Sequence, residues 1–114
     1  LVELLQAVHE GSLNDIQIET DERSAAAVIL VSGGYPEKYE KGKPISGFEQ
    51  ITDSTVFHAG TNQLADQVVT NGGRVLAITS FGDTFQDAVA QSTKYAEVIE
   101  FEGKYYRKDI GFDL

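Results

Sequence analysis

The sequence contains no cysteine, no methionine and no tryptophan, and only two of its 114 residues are proline. Without cysteine the chain can form neither a disulfide bond nor a thiolate metal site. A small domain without disulfides is more typical of the cytoplasm than of a secreted protein, so we expect a cytoplasmic location. Because the chain begins at Leu1 and has no methionine, we also expect it to be part of a longer protein.

Basic residues are scarce as well. Lysine and arginine number 9 against 18 acidic residues, which gives a net charge of −9. Such a surface repels nucleic acid and anionic lipid, so we expect neither as a partner. No apolar run approaches the ~20 residues of a membrane helix, so we expect no membrane partner. The two histidines, His9 and His58, lie far apart without cysteine partners, so we expect no metal site.

The hydrophobic pattern predicts a helix at residues 1–10 and a longer one at residues 83–99, with Asp83 as its cap and Gln86 in the reciprocal position. Apolar, β-branched runs predict strands at residues 24–31, 45–48, 56–61, 64–70, 74–79 and 101–106. Strands outnumber helices. The predicted class is therefore α+β, with a small, mostly antiparallel β-sheet or partial barrel and one long packing helix.

The opening helix is amphipathic, because Leu1, Leu4, Leu5 and Val8 recur at helical spacing before Gly11. Two interpretations fit this pattern equally. The helix is either the severed end of a larger domain or an ordinary N-terminal helix that packs on its own core.

Two glycine-rich turns are the strongest candidates for a ligand site. One is Ser32, Gly33, Gly34, Tyr35 and Pro36, and the other is Asn71, Gly72, Gly73 and Arg74. Glycine lets the backbone approach a ligand closely, successive N–H groups can hold an anion, and arginine suits phosphate. Asn-Gly is also a leading hairpin signal, so the alternative is that both segments are hairpin turns.

Two other features have a structural and a functional interpretation. His58, within a predicted strand, is either a structural hydrogen-bonding group or a residue that contacts a ligand in the cleft. The mixed aromatic and charged segment 105–109 is typical of a solvated strand edge.

Four segments taken in order carry a family resemblance. They are SGGYPEKYEKGKPISGF (32–48), VFHAGT (56–61), VVTNGGRVLAIT (68–79) and FEGKYYRKDIGF (101–112). Together the four segments resemble the C-terminal region of the phosphoribosylamine–glycine ligase family, also called glycinamide ribonucleotide synthetase, of the ATP-grasp superfamily. The resemblance covers nearly the whole chain.

The resemblance implies a reaction of purine biosynthesis. Glycine's carboxylate takes the γ-phosphoryl group of ATP, and the amine of 5-phosphoribosylamine attacks the acyl phosphate to form glycinamide ribonucleotide. It implies Mg²⁺ or Mn²⁺ with the ATP. The family's metal-binding and nucleotide-binding segments lie upstream of this sequence, so the resemblance implies no catalytic residue here and an inactive fragment.

By the same resemblance, residues 1–23 are the severed end of the ATP-grasp region with its connector, and residues 24–114 are the C-terminal domain. The partners implied are the missing N-terminal and ATP-grasp domains. Residues 71–74 would bind the substrate phosphate, and residues 32–36 with His58 would line the cleft. The alternative function is a stand-alone, non-catalytic ligand-binding or docking module. We discount a biotinyl or lipoyl carrier, because the turn at 71–73 has no lysine.

Overall fold

The computed structural model describes residues 1–113. In chain order its helices and strands are α1 (Val2–Glu10), β1 (Ser24–Val31), β2 (Thr55–His58), β3 (Thr61–Leu64), β4 (Gln67–Thr70), β5 (Arg74–Gly82) and α2 (Phe85–Val98). Short 3₁₀ turns lie at Leu13–Asp15 and Phe48–Gln50. The predicted α+β class is confirmed, with the antiparallel sheets and the long helix in place.

Strand β5 lies in the middle of a three-stranded antiparallel sheet with the order β1-β5-β2. Val28 of β1 lies opposite Ile78 of β5, and Leu30 lies opposite Leu76, after which a register shift ends the regular pairing. Strands β3 and β4 form a separate antiparallel hairpin.

Helix α2 covers one face of the larger sheet. Because side chains alternate along a strand, Val28, Leu30, Leu76 and Ile78 all point to this face, and each is fully buried. Burial of one such side chain contributes about 1.5–3 kcal/mol to stability. The opposite face is open, and it leaves Ile29 37% exposed.

The cap of α2 differs from the prediction. Thr84, not Asp83, is the capping residue, since its Oγ1 accepts a hydrogen bond from the Asp87 N–H at 3.2 Å and donates one to Asp87 Oδ2 at 2.7 Å. Thr84 has the extended backbone that a cap requires. The buried stripe of the helix, with its C-cap, consists of Ala88, Ser92, Tyr95, Ala96 and Ile99.

The other end of α2 is closed by a residue from the following segment. Nζ of Lys104 donates to the carbonyl oxygens of Ala96 at 3.0 Å and of Ile99, and to Glu100 Oε1 at 2.8 Å. No basic residue lies in the last turn of α2 itself. The lysine therefore supplies the positive charge that favours a helix C-terminus, and it ties residues 100–106 to the helix.

The hairpin predicted across residues 71–73 is wrong. Strand β4 pairs with β3, and β5 pairs with β1 and β2, so the turn passes from one sheet to the other. The true hairpin turns at Ala65, whose φ of 51° is left-handed. Alanine rarely adopts this conformation, so no strong turn signal marks this position, and residues 64–70 were predicted to be one strand.

Three predicted strands are shorter or irregular. The strand predicted at 56–61 is interrupted because the N–H groups of Ala59 and Gly60 both bond to the Val75 carbonyl oxygen at 3.0 Å. Residues 45–48 and 101–106 are not named strands, and each takes part only in isolated bridges, such as Ser46 with Glu100 and Val31 with Tyr105.

Candidate functional site

The two glycine-rich turns meet at Ser32. Its backbone N–H donates to the Gly73 carbonyl oxygen at 2.8 Å, and its hydroxyl donates to the Gly72 carbonyl oxygen at 2.8 Å. Ser32 is only 3% exposed. One buried serine at the end of β1 thus holds two consecutive peptide groups of the second turn.

The two hydrogen bonds from Ser32 restrict the direction of the neighbouring N–H groups. The only cis peptide bond among residues 1–113 is Tyr35–Pro36, so the bonds after Gly72 and Gly73 are trans. In a planar trans peptide the N–H points away from the C=O. Since both carbonyls accept hydrogen bonds from Ser32, the N–H groups of Gly73 and Arg74 point away from Ser32.

A side chain at Gly73 would have to displace the Tyr35 ring. A Cβ atom there would lie 2.0 Å from Cδ2 of Tyr35. The Tyr35 ring therefore packs directly on the glycine backbone. Contact with Tyr35, in addition to the bonds from Ser32, determines the shape of the turn.

Arg74 follows this turn as the first residue of β5, and its side chain is exposed. The chain's other arginines are paired, Arg23 with Asp21 and Arg107 with Asp109, whereas Arg74 forms no ion pair with any residue in 1–113. In a chain with twice as many acidic as basic residues, an unpaired guanidinium beside a glycine turn is available for an external anion.

Arg74 lies in an open cleft of about 610 Å³ on the uncovered side of the sheet. All four predicted phosphate-binding residues line this cleft, and so does Tyr35. The remaining lining residues are Ile29, Ala59, Gly60, Leu76 and Ala77. The structure therefore brings residues 71–74 and one residue of the first turn into the same cavity.

The other candidates lie elsewhere. Gly33 lines a separate depression with Lys43 and Glu102, while Gly34 and Pro36 line neither cavity. His58 also lies outside the cleft lining; its Nδ1 is 2.9 Å from Thr61 Oγ1 and its ring stacks on Phe48.

A second groove adjoins the first. Ile29, Tyr35 and Arg74 line both cavities, and the second has a volume of about 240 Å³. Its other walls are Val31, Tyr105, Tyr106, Arg107 and Ile110. Residues 105–110 were not predicted to form part of a site. The tyrosines and the arginine of this segment were the only sequence feature that could have indicated a binding role. The segment lies beside the glycine turns because Val31 and Tyr105 form an isolated bridge.

Arg107 lines the groove and is paired with Asp109. Its Nε and one terminal nitrogen donate to the two carboxylate oxygens of Asp109, each at 2.9 Å. These hydrogen bonds lower the pKa of Asp109 and raise the pKa of Arg107. The charge of this guanidinium is therefore already balanced, in contrast to that of Arg74.

Residues 1–113 contain no group of three or more histidine, aspartate or glutamate side chains placed to bind one metal ion. The described helices include none long and apolar enough to cross a membrane.

Comparison with known proteins gives a consistent result. Residues 25–113 match the family described as phosphoribosylglycinamide synthetase, C domain. A phosphoribosylamine–glycine ligase of Vibrio cholerae is 44% identical over 98% of this chain, and one of Caldanaerobacter subterraneus is 41% identical over 96%. The crystal structure of the Thermotoga maritima ligase matches 93% of the chain with a TM-score of 0.75 and 36% identity.

This chain covers only part of the length of each relative. The chain spans 27% of the length of the V. cholerae protein, 26% of the C. subterraneus protein and 27% of the T. maritima chain. The family match, in contrast, covers most of this chain. The chain belongs to the phosphoribosylglycinamide synthetase C-domain family.

Proposed function

We propose that this chain is the C-terminal domain of a phosphoribosylamine–glycine ligase, with residues 24–114 as the domain and residues 1–23 as the end of the preceding region. In the whole protein, glycine is joined to 5-phosphoribosylamine with hydrolysis of ATP. The role of this domain is to bind the 5-phosphate of phosphoribosylamine through Asn71, Gly72, Gly73 and Arg74. The relatives' names and the family match support the activity.

The observation that carries the phosphate assignment is the double hydrogen bond from Ser32. It turns the N–H groups of Gly73 and Arg74 away from Ser32 before any ligand arrives. A preorganised pair of donors at a glycine turn is a common means of binding phosphate oxygens. The unpaired Arg74 guanidinium adds a full charge and two parallel donors.

The net charge explains why these donors must act together. A phosphomonoester carries nearly two negative charges at neutral pH. The domain has a net charge of −9, so the long-range field opposes its approach. Backbone N–H groups supply only partial charges, and Arg74 therefore provides the main attraction.

ATP, glycine and Mg²⁺ or Mn²⁺ are bound by the parts of the ligase outside this chain. Residues 71–74 carry no carboxylate that could bind the metal. Their contribution is to hold the phosphate end of the substrate. We place the parent protein in the cytoplasm, in keeping with a cysteine-free chain.

A chimeric ligase tests the proposal. This chain would replace the matching segment of the V. cholerae ligase, with which it is 44% identical. Phosphoribosylamine would be generated in the assay from ribose 5-phosphate and ammonia. The substitution Arg74→Met should lower kcat/KM for phosphoribosylamine by roughly tenfold to a hundredfold, since a charge-assisted hydrogen bond is worth ~1.5–3 kcal/mol. The KM for ATP should stay unchanged.

The matched control is Lys94→Met. Lys94 is an exposed cation on α2, outside both cavities, and its replacement removes the same charge. Equal, small changes in all three KM values for Arg74→Met would reject the phosphate role. If the chimera that carries this chain without substitutions folds but has no activity, the domain assignment is rejected.

A further inference from the structure

The groove beside the glycine turn offers a different surface from the turn itself. The exposed fractions of Tyr35 and Tyr105 are 39% and 62%, so both present ring surface to a ligand. Ile29, Val31 and Ile110 complete an almost entirely apolar lining. The hydroxyl groups of a sugar would find few partners there, whereas a flat aromatic ring would stack on the tyrosines.

Arg107 suits a stacking role rather than a phosphate-binding one. Two of its five N–H donors bond to the carboxylate oxygens of Asp109 at 2.9 Å, which balances its charge and leaves both flat faces of the guanidinium uncovered by the ion pair. A guanidinium plane stacks well on an aromatic ring. The two arginines of the joined cavities thus differ in their pairing among residues 1–113, since Arg107 is paired with Asp109 and Arg74 forms no ion pair.

The joined cavities therefore match a ligand with an aromatic ring at one end and a phosphate at the other. Arg74 lines both cavities, so the two ends of such a ligand lie on either side of one side chain. A purine covers more of the apolar surface than a pyrimidine, because its two fused rings are larger.

We infer that the cleft binds a purine nucleoside 5′-monophosphate, with the phosphate on Gly72, Gly73 and Arg74 and the base in the groove formed by Tyr35, Tyr105 and Arg107. The phosphate end rests on the proposed function. A nucleotide bound in this way shares its ribose 5-phosphate with phosphoribosylamine and excludes it, so it acts as a competitive inhibitor.

Calorimetry on the 114-residue chain tests the inference with AMP and ribose 5-phosphate as probes. AMP should bind about five- to hundredfold more tightly, the gain expected from stacking one base on aromatic side chains. Tyr105→Ala should reduce the affinity for AMP to that for ribose 5-phosphate and leave the latter unchanged. The matched control is Phe81→Ala, an aromatic residue 50% exposed at the far end of β5. It should alter neither affinity.

Amide chemical shifts of the unaltered chain give a second measurement that does not depend on a variant's folding. AMP should shift residues 72–74 and 105–107, and ribose 5-phosphate only residues 72–74. Equal affinities for the two probes would overturn the nucleotide inference and leave the phosphate site standing. Adenosine binding as tightly as AMP would overturn the phosphate assignment and with it the bound pose. A chain that binds neither probe would overturn both.

Discussion

Replacement of Lys104 by methionine should destabilise the chain more than replacement of an exposed lysine such as Lys108. The side chain of Lys104 is only 12% exposed, and Nζ contacts three backbone carbonyl oxygens and one carboxylate. An ammonium has three protons, so at most three of these four bonds form at once. Hydrogen bonds to a charged group are worth ~1.5–3 kcal/mol each, but some of the freed carbonyls regain water. We expect a net loss of about 2–3 kcal/mol in the free energy of unfolding.

Urea denaturation followed by circular dichroism measures this loss. Lys108→Met is the control, because Lys108 is exposed and forms no ion pair within residues 1–113; it should change stability by less than about 0.5 kcal/mol. Glu100→Gln separates the two kinds of contact. If the carbonyl bonds dominate, this change costs only about 0–1 kcal/mol, as for an exposed ion pair. A loss for Glu100→Gln equal to that for Lys104→Met would refute the helix-capping account.

Three further outcomes are expected. Gly73→Ala should abolish binding of ribose 5-phosphate to the 114-residue chain, because the new methyl group would displace the Tyr35 ring. Retained affinity in calorimetry would show that the turn tolerates a side chain. Arg107→Met should raise the pKa of Asp109 in an NMR titration, since the hydrogen bonds from Arg107 lower that pKa. The stability that this pair contributes is present above the unfolded-state pKa of Asp109 and is lost as the pH falls through its folded-state pKa. An unchanged pKa would argue against the pair in solution. The 114-residue chain alone should form no glycinamide ribonucleotide from ATP, glycine and phosphoribosylamine, and product above a buffer blank would contradict the assignment of the metal site to other domains.

The central elements were predictable because their signals are local. The run SAAAVILV identified β1, the run RVLAIT identified most of β5, and the 3.6-residue period identified α2. The paired turns at 32–36 and 71–74 were also identified as the best candidates for a site, on the basis of glycine content and Arg74.

The relation between these parts was not predictable, because it depends on contacts between distant residues. Nothing local indicates that the Ser32 hydroxyl reaches the Gly72 carbonyl oxygen, since serine can bond to any nearby acceptor. The wall formed by Tyr105 and Arg107 likewise depends on the bridge to Val31. The hairpin at Ala65 was missed because its turn uses a conformation that alanine seldom adopts.

The position of β5 between β1 and β2 has a consequence for the synthesis of the protein. Both outer strands of this sheet precede β5 in the sequence, and neither pairs with the other. A chain emerging from the ribosome therefore cannot build the sheet until β5 has left the exit tunnel, and α2 emerges later still. Until then SAAAVILV is an unpaired apolar strand, a kind of segment that promotes aggregation while it is exposed.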